Sequence, residues 1–214
     1  FLYYDGASNS VKILLSQWSS ITARSPGSAI SYQDGVPILS GSNTNRYVGT
    51  VLINNANTSE DSEAKRMLWN YNNQVQKMLK KQDSTVSWTY SSTTVRYANG
   101  DIANRLDVVC GQPQGICVVG YSNVACAAAA NPRLQLGYNT AYPTSSTTTG
   151  NQLTVVLRGA NANMLNLINN MCCSAAYSCA PGFTTFGSFE FTTSGITTTF
   201  YGNQNQGIEA SWMC

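Results

Sequence analysis

Residues 60–81 read EDSEAKRMLWNYNNQVQKMLKK. Ala64, Met67, Leu68, Tyr71, Val75, Met78 and Leu79 recur there at three- and four-residue spacing, the period of one helix face. Thr58, Ser59 or Asp61 can accept the first free amides of such a helix, and Lys77, Lys80 and Lys81 fall near the negative end of its dipole. The spacing therefore predicts a helix from Glu60 to Lys81. Before it, YVGTVLI (47–53) is a β-branched apolar run that suits a strand. After it, STVSWTYSSTTVRYANG (84–100) reads as a hairpin turning near Ser91–Ser92, and NRLDVVC (104–110) as a closing strand.

The last third repeats that order. NQLTVVLRG (151–159) is a predicted strand, and ANANMLNLINNMCCS (160–174) a predicted helix with Met164, Leu165, Leu167, Ile168 and Met171 inward. GSFEFTTSGITTTFYGN (187–203) is a predicted hairpin turning at Gly195, and IEASWMC (208–214) closes the chain. The closing cysteines, Cys110 and Cys214, lie 104 positions apart. The same offset superposes Val51 on Val155, Asn57 on Asn161, Met67 on Met171, Thr94 on Thr198, Tyr97 on Tyr201 and Asn99 on Asn203. This implies an internal duplication of domain-sized units.

The expected fold is thus α+β. It comprises two similar strand–helix–hairpin units, each an antiparallel sheet covered by helices, in a disulfide-stapled α/β sandwich. Residues 1–110 form the first unit, with an extra N-terminal helix in VKILLSQWSSI (11–21) that turns Val11, Leu14, Leu15 and Trp18 inward. Residues 111–150 form a linker and cysteine-bearing segment, and 151–214 the second unit. NTAYPTSSTTTGNQ (139–152) is the least ordered stretch by composition.

Composition narrows function mainly by exclusion. The 214 residues contain no histidine, which rules out Ser-His-Asp and Cys-His catalysis, imidazole bases and His-ligated zinc. Charged residues make up 10%, against about a quarter in typical soluble domains. Surface polarity must then come from Ser, Thr, Asn and Gln, a profile of secreted and particle-forming proteins. A net charge of +2 implies no nucleic-acid partner. No apolar run approaches the roughly 20 residues that span a bilayer. FLYYDGAS (1–8) lacks a charged leader region and an initiator Met, which suggests a processed chain or an excised fragment. Asn57 in NTS is an N-glycosylation sequon. These features point to a secreted, extracellular protein. No motif for a cofactor or metal occurs, so none of either is expected.

Seven cysteines are present: Cys110, Cys117, Cys126, Cys172, Cys173, Cys179 and Cys214. Six can form three bridges and one is left over, free or available to another chain. CCSAAYSC (172–179) lacks thiolate–zinc spacing, so structural disulfides are the expected role. One of Cys172 and Cys173 is expected to pair with Cys214, with another bridge within 110–126. Among the carboxylates, Glu190, Asp107 and Glu209 lie on strands near aromatic residues, where a pair could serve glycoside hydrolysis without histidine.

The duplicated segments, 48–110 and 152–214, resemble in architecture the fungal killer-toxin-like proteins and related secreted effectors. The likeness is of element order, not of residue motif. It implies a non-enzymatic protein that acts on a surface component of another cell, its envelope or membrane, with the 60–81 helix as the contact element. Two other classes fit the composition. One is a self-assembling filament or particle subunit, a homo-oligomer in which the odd cysteine links copies. The other is a carboxylate-dependent glycosidase or sugar-binding module.

Overall fold

The computed structural model describes residues 1–53, 57–126, 132–139, 154–156, 169–192 and 196–213. Three small hairpins open the chain. β1 (Leu2–Asp5) pairs with β2 (Ser10–Ile13), and β3 (Trp18–Ser20) pairs with β4 (Ala23–Arg24). β5 (Ile30–Gln33) pairs with β6 (Val36–Leu39), and β7 (Gly49–Val51) is paired further along the chain. Next come β8 (Lys65–Arg66), β9 (Leu68–Asn70, which pairs with β7), β10 (Gln76–Gln82), β11 (Ser87–Tyr90), β12 (Arg96–Tyr97) and β13 (Arg105–Cys110). The remainder is β14 (Gln114–Cys126), β15 (Pro132–Tyr138), β16 (Thr154–Val156), β17 (Asn169–Cys179), β18 (Gly182–Thr192), β19 (Thr198–Tyr201) and β20 (Gly207–Met213).

Two main sheets result. In the first, β14 runs between β17 on one edge and β20 and β19, end to end, on the other; β10 and β11 flank β20 and β19. In the second, β18 runs between β15 and the pair β13 and β12, with β16 outside β15 and β8 outside β13. All of these pairings are antiparallel except β8 with β13. The inner faces meet in one core, where Ile116, Val118, Val124 and Ile208 of the first sheet pack with Leu106, Val108, Leu134, Leu136 and Phe186 of the second. Each fully buried side chain of this size contributes about 1.5–3 kcal/mol.

The expected α+β architecture is not what the chain adopts. Among the described residues there is no α-helix, only the 3-10 turns Pro26–Ser28 and Ala98–Gly100. The 60–81 segment is β8, β9 and β10. Met67 and Trp69 are buried while Leu68 between them is exposed, and buried Leu79 follows exposed Met78. That is a period of two, and it splits side chains that a helix would place together. Asn70 supplies the break: its side-chain oxygen accepts the backbone amides of Asn72 at 2.9 Å and Asn73 at 3.3 Å, a local turn that competes with helix. The N-terminal helix is likewise replaced, by β2 and β3. Leu14 packs on the core, but Val11 and Leu15 face solvent. Residues 169–174 of the second expected helix lie in β17, and 160–168 fall outside the described residues. The helix-covered units on which the killer-toxin resemblance rested are therefore absent from the described residues.

The expected hairpins are also redistributed. β11 joins β19 in the first sheet while β12 joins β18 in the second, so 84–100 crosses between sheets. The segment read as linker contains β14, whose inward Ile116, Val118, Gly120, Ser122 and Val124 alternate with outward-facing neighbours. The 104-residue offset still relates two local features. The β12–β13 turn holds Asn99 and Gly100 at φ 56° and 66°, and the β19–β20 turn holds Asn203 and Gln204 at φ 49° and 75°. One such turn serves each sheet.

No disulfide staples the described residues. Cys110, Cys117, Cys172, Cys173 and Cys179 are free thiols, which overturns the bridges expected for Cys110 and for Cys172 or Cys173. Alternation along strands separates the expected partners: Cys117 and Cys172 point outward, whereas Cys110, Cys173 and Cys179 point into the core, where Cys110 meets Cys179 and not Cys117. The Cys126 side chain, Cys214, Gly195 and residues 140–153 lie outside what is described.

Candidate binding pocket

The N-terminal hairpins lean against one end of the sheets and leave a cavity of about 530 Å³ between them. Phe1, Leu14, Leu52 and Val109 give it an apolar floor. Leu15, Ile21, Val51 and Ile53 stand round its mouth, 42–79% exposed. Several aliphatic side chains left in water on one face of a small protein mark a contact surface.

Arg24 is the one cationic side chain in the wall. β3 and β4 set it directly across from Trp18, so the guanidinium lies 4.3 Å from the indole centre and 5.0 Å from the Tyr47 ring. Nη2 donates to Tyr47 Oη at 3.0 Å, Thr50 Oγ1 at 3.2 Å and the Gly111 carbonyl at 2.9 Å. Nη1 donates to the Ser28 carbonyl at 3.2 Å. Every one of these acceptors is neutral, and among the described residues no carboxylate forms an ion pair with Arg24. Tyr47 and Thr50 share a hydrogen bond of 2.6 Å, and burial pushes the Tyr47 phenol above its ordinary range.

A second layer holds these groups still. Tyr47 stacks on Trp69 with centroids 5.9 Å apart and tilts against Phe1 at 5.6 Å. Trp69 Nε1 donates to Gln114 Oε1 at 3.1 Å. Burial thus fixes the ring positions, and the rings fix the cation.

The carboxylates singled out from sequence do not assemble a hydrolytic pair. Asp107 is opposite Thr185 on β18, five positions from Glu190, which places the two on opposite faces and roughly 16 Å apart along the strand. Glycosidase pairs sit about 5–10 Å apart. Glu190 is 1% exposed and held by Trp88 Nε1 at 2.9 Å and by Arg96 Nη2 at 2.7 Å, with Arg96 stacked on Tyr90 at 3.8 Å. Burial raises its pKa against those partners. Asp107 is 3.0 Å from Arg105 Nε, and burial raises it too. Glu209 forms a surface pair with Lys80 at 3.4 Å. Asn57 is exposed, with φ 59°. No group of three metal-ligating side chains occurs among the described residues, and no helix there is long and apolar enough to cross a membrane.

Arg24, Trp18, Tyr47, Thr50 and Gly111 come from four separate stretches, and no spacing joins them. One signal was available: Arg24 is the sole charged residue between Lys12 and Asp34.

Neither a protein-family model nor a curated protein matches the sequence. Partial likenesses to solved structures include the following three. Dimeric latent PorU from Porphyromonas gingivalis is 8% identical with a TM-score of 0.39, over 65% of this chain and 13% of that one. Eiger TNF from S. frugiperda is 8% identical with a TM-score of 0.41, over 66% and 93%. The C-terminal domain of EclA, a sugar-binding protein, is 6% identical with a TM-score of 0.34, over 60% and 79%. At scores of 0.34–0.41 these likenesses carry no argument about ligand or activity. The described residues form an all-β fold of two facing, mainly antiparallel sheets, and the functional reading rests on the pocket itself.

Proposed function

We propose that this chain is a non-enzymatic interaction protein that works through the apolar-rimmed pocket of its N-terminal hairpins. The observation that carries this is the pairing of a concave, apolar cavity with one anchored guanidinium, the usual composition of a ligand site. The lining offers an arginine, the Phe1 ammonium, the Gln17 amide, hydroxyls and apolar groups, and its side chains include no carboxylate, thiol or lysine to act as general base or nucleophile. Low charge and the exposed sequon support an extracellular, effector-like setting. The aliphatic rim supports contact with an apolar component of another cell's envelope.

The test is uptake of a neutral environment-sensitive dye, Nile red, by the native chain and by a Leu15→Asp/Ile53→Asp double variant. Both side chains are more than half exposed, so the thermal midpoint should hold. Saturable uptake that the double variant loses supports the reading. No uptake, or uptake indifferent to the rim, sinks it.

A further inference from the structure

From the charge imbalance in the wall we infer that the pocket takes a single-chain anionic amphiphile, its head group on Arg24 and its hydrocarbon along Leu14, Leu52 and Val109. This rests on the pocket being the binding site. The guanidinium has five N–H donors, and three of its four contacts among the described residues fall on Nη2. Nε and one proton of Nη1 keep capacity for a further acceptor. A half-buried cation among apolar groups gains most from an anion, because carbonyl and hydroxyl dipoles replace only part of its hydration. Tyr47 and Thr50 add hydroxyls beside the same nitrogen; one donates to the other, which leaves one hydroxyl proton for an anionic oxygen. The Trp18 and Tyr47 rings, 4.3 and 5.0 Å from the guanidinium carbon, hold the cation in place, which preorganises its Nε and remaining Nη1 proton for single charge-assisted hydrogen bonds to an anionic oxygen. The aliphatic mouth disfavours a sugar, and the charge disfavours a cationic amphiphile.

A carboxylate head and a phosphate head share this chemistry, so the source is an experimental question. Calorimetric titration of the full chain would use decanoate, decanol and decyltrimethylammonium, each below its aggregation limit, and separately phosphatidylglycerol vesicles. Decanoate should bind at one per chain and at least about tenfold tighter than decanol, as a charge-assisted hydrogen bond predicts. Arg24→Gln should erase that preference. Because Arg24 also ties four acceptors together, Ile21→Glu at the exposed mouth gives a second variant, which should weaken decanoate while sparing decanol. Vesicle binding that depends on Arg24, without decanoate binding, overturns the single-chain occupant and makes the head group of a bilayer lipid the anion. Equal affinity for decanoate and decanol overturns it while leaving the pocket a binding site. Failure of all ligands, with Nile red also excluded, removes both readings.

Discussion

The carbonyl of Gly111 accepts a 2.9 Å hydrogen bond from Arg24, 87 residues earlier in the chain. It joins the end of β13 to the β3–β4 hairpin, and so docks the N-terminal hairpins on the sheets. A Cβ at Gly111 would collide with the Trp69 ring and the Tyr47 hydroxyl. Gly111→Ala should therefore cost about 1–3 kcal/mol, by the usual penalty for overpacking. Urea denaturation checks this; an unchanged midpoint would mean the aromatic layer yields freely.

The Glu190–Arg96 pair is the costliest one to break. Arg96→Ala leaves a 1%-exposed carboxylate with Trp88 and the Asn99 backbone amide but no cation, and should destabilise by about 3 kcal/mol. Glu190→Gln keeps an acceptor for Trp88 and should cost less. Equal losses in chemical denaturation would contradict this ranking.

Two buried carboxylates should show opposite pH dependence. Burial raises Glu190, so its contribution to stability is greatest below the unfolded value near 4.5 and falls as pH rises through the higher folded value. Burial also acts on Asp83, but hydrogen bonds from Asn104, Thr85 and Asn99 together outweigh it and lower the net pKa. Its contribution is present above 3.8 and is lost as pH falls through the folded value. The stability difference between wild type and Glu190→Gln should thus decline with rising pH from about 4, and that for Asp83→Asn should climb over the acid range. Parallel curves would refute the assignment.

Thiol reactivity should separate the cysteines by face. Cys117 and Cys172 are exposed, whereas burial pushes the Cys173 thiol up to about 12. Cys179 donates to the Cys110 sulfur, which lowers Cys110 and raises Cys179, yet both are 0% exposed. Among these five, a maleimide at pH 8 should label two in the native state and the rest only after unfolding. Peptide mapping that finds Cys173 or Cys179 labelled early would show the core opening locally.

Gln204 holds φ 75° at the turn position where the offset places Gly100, at φ 66°. A non-glycine residue there costs about 1–2 kcal/mol, partly offset by the greater unfolded-state entropy of glycine. Gln204→Gly should raise stability by about 0.5–1 kcal/mol, read as a higher thermal midpoint. A fall would mean that the Gln204 side chain contributes more than its backbone strain costs.

The misreading of 60–81 shows which part of the fold was legible. Met67, Trp69 and Tyr71 form a period-two series that overlaps the three- and four-residue spacing of Met67, Leu68 and Tyr71. Trp69 decides between them: a helix face leaves it out, and the strand buries it to 1% exposure. The turn-forming NYNN at 70–73 was the local cue against a continuous helix.

Several properties were set along the chain alone. They are the low charge, the exclusion of histidine chemistry and the strand at 105–110, because composition and local conformation need no distant partner. Sheet membership, the free thiols and the pocket were decided only in three dimensions. β11 and β12 are six residues apart yet join different sheets, since each strand completes its hydrogen bonds with whichever edge the packed core presents. Arg24 gained its role in the same way, when Ser28, Tyr47, Thr50 and Gly111 converged on one guanidinium that the local sequence leaves without an acid to pair with.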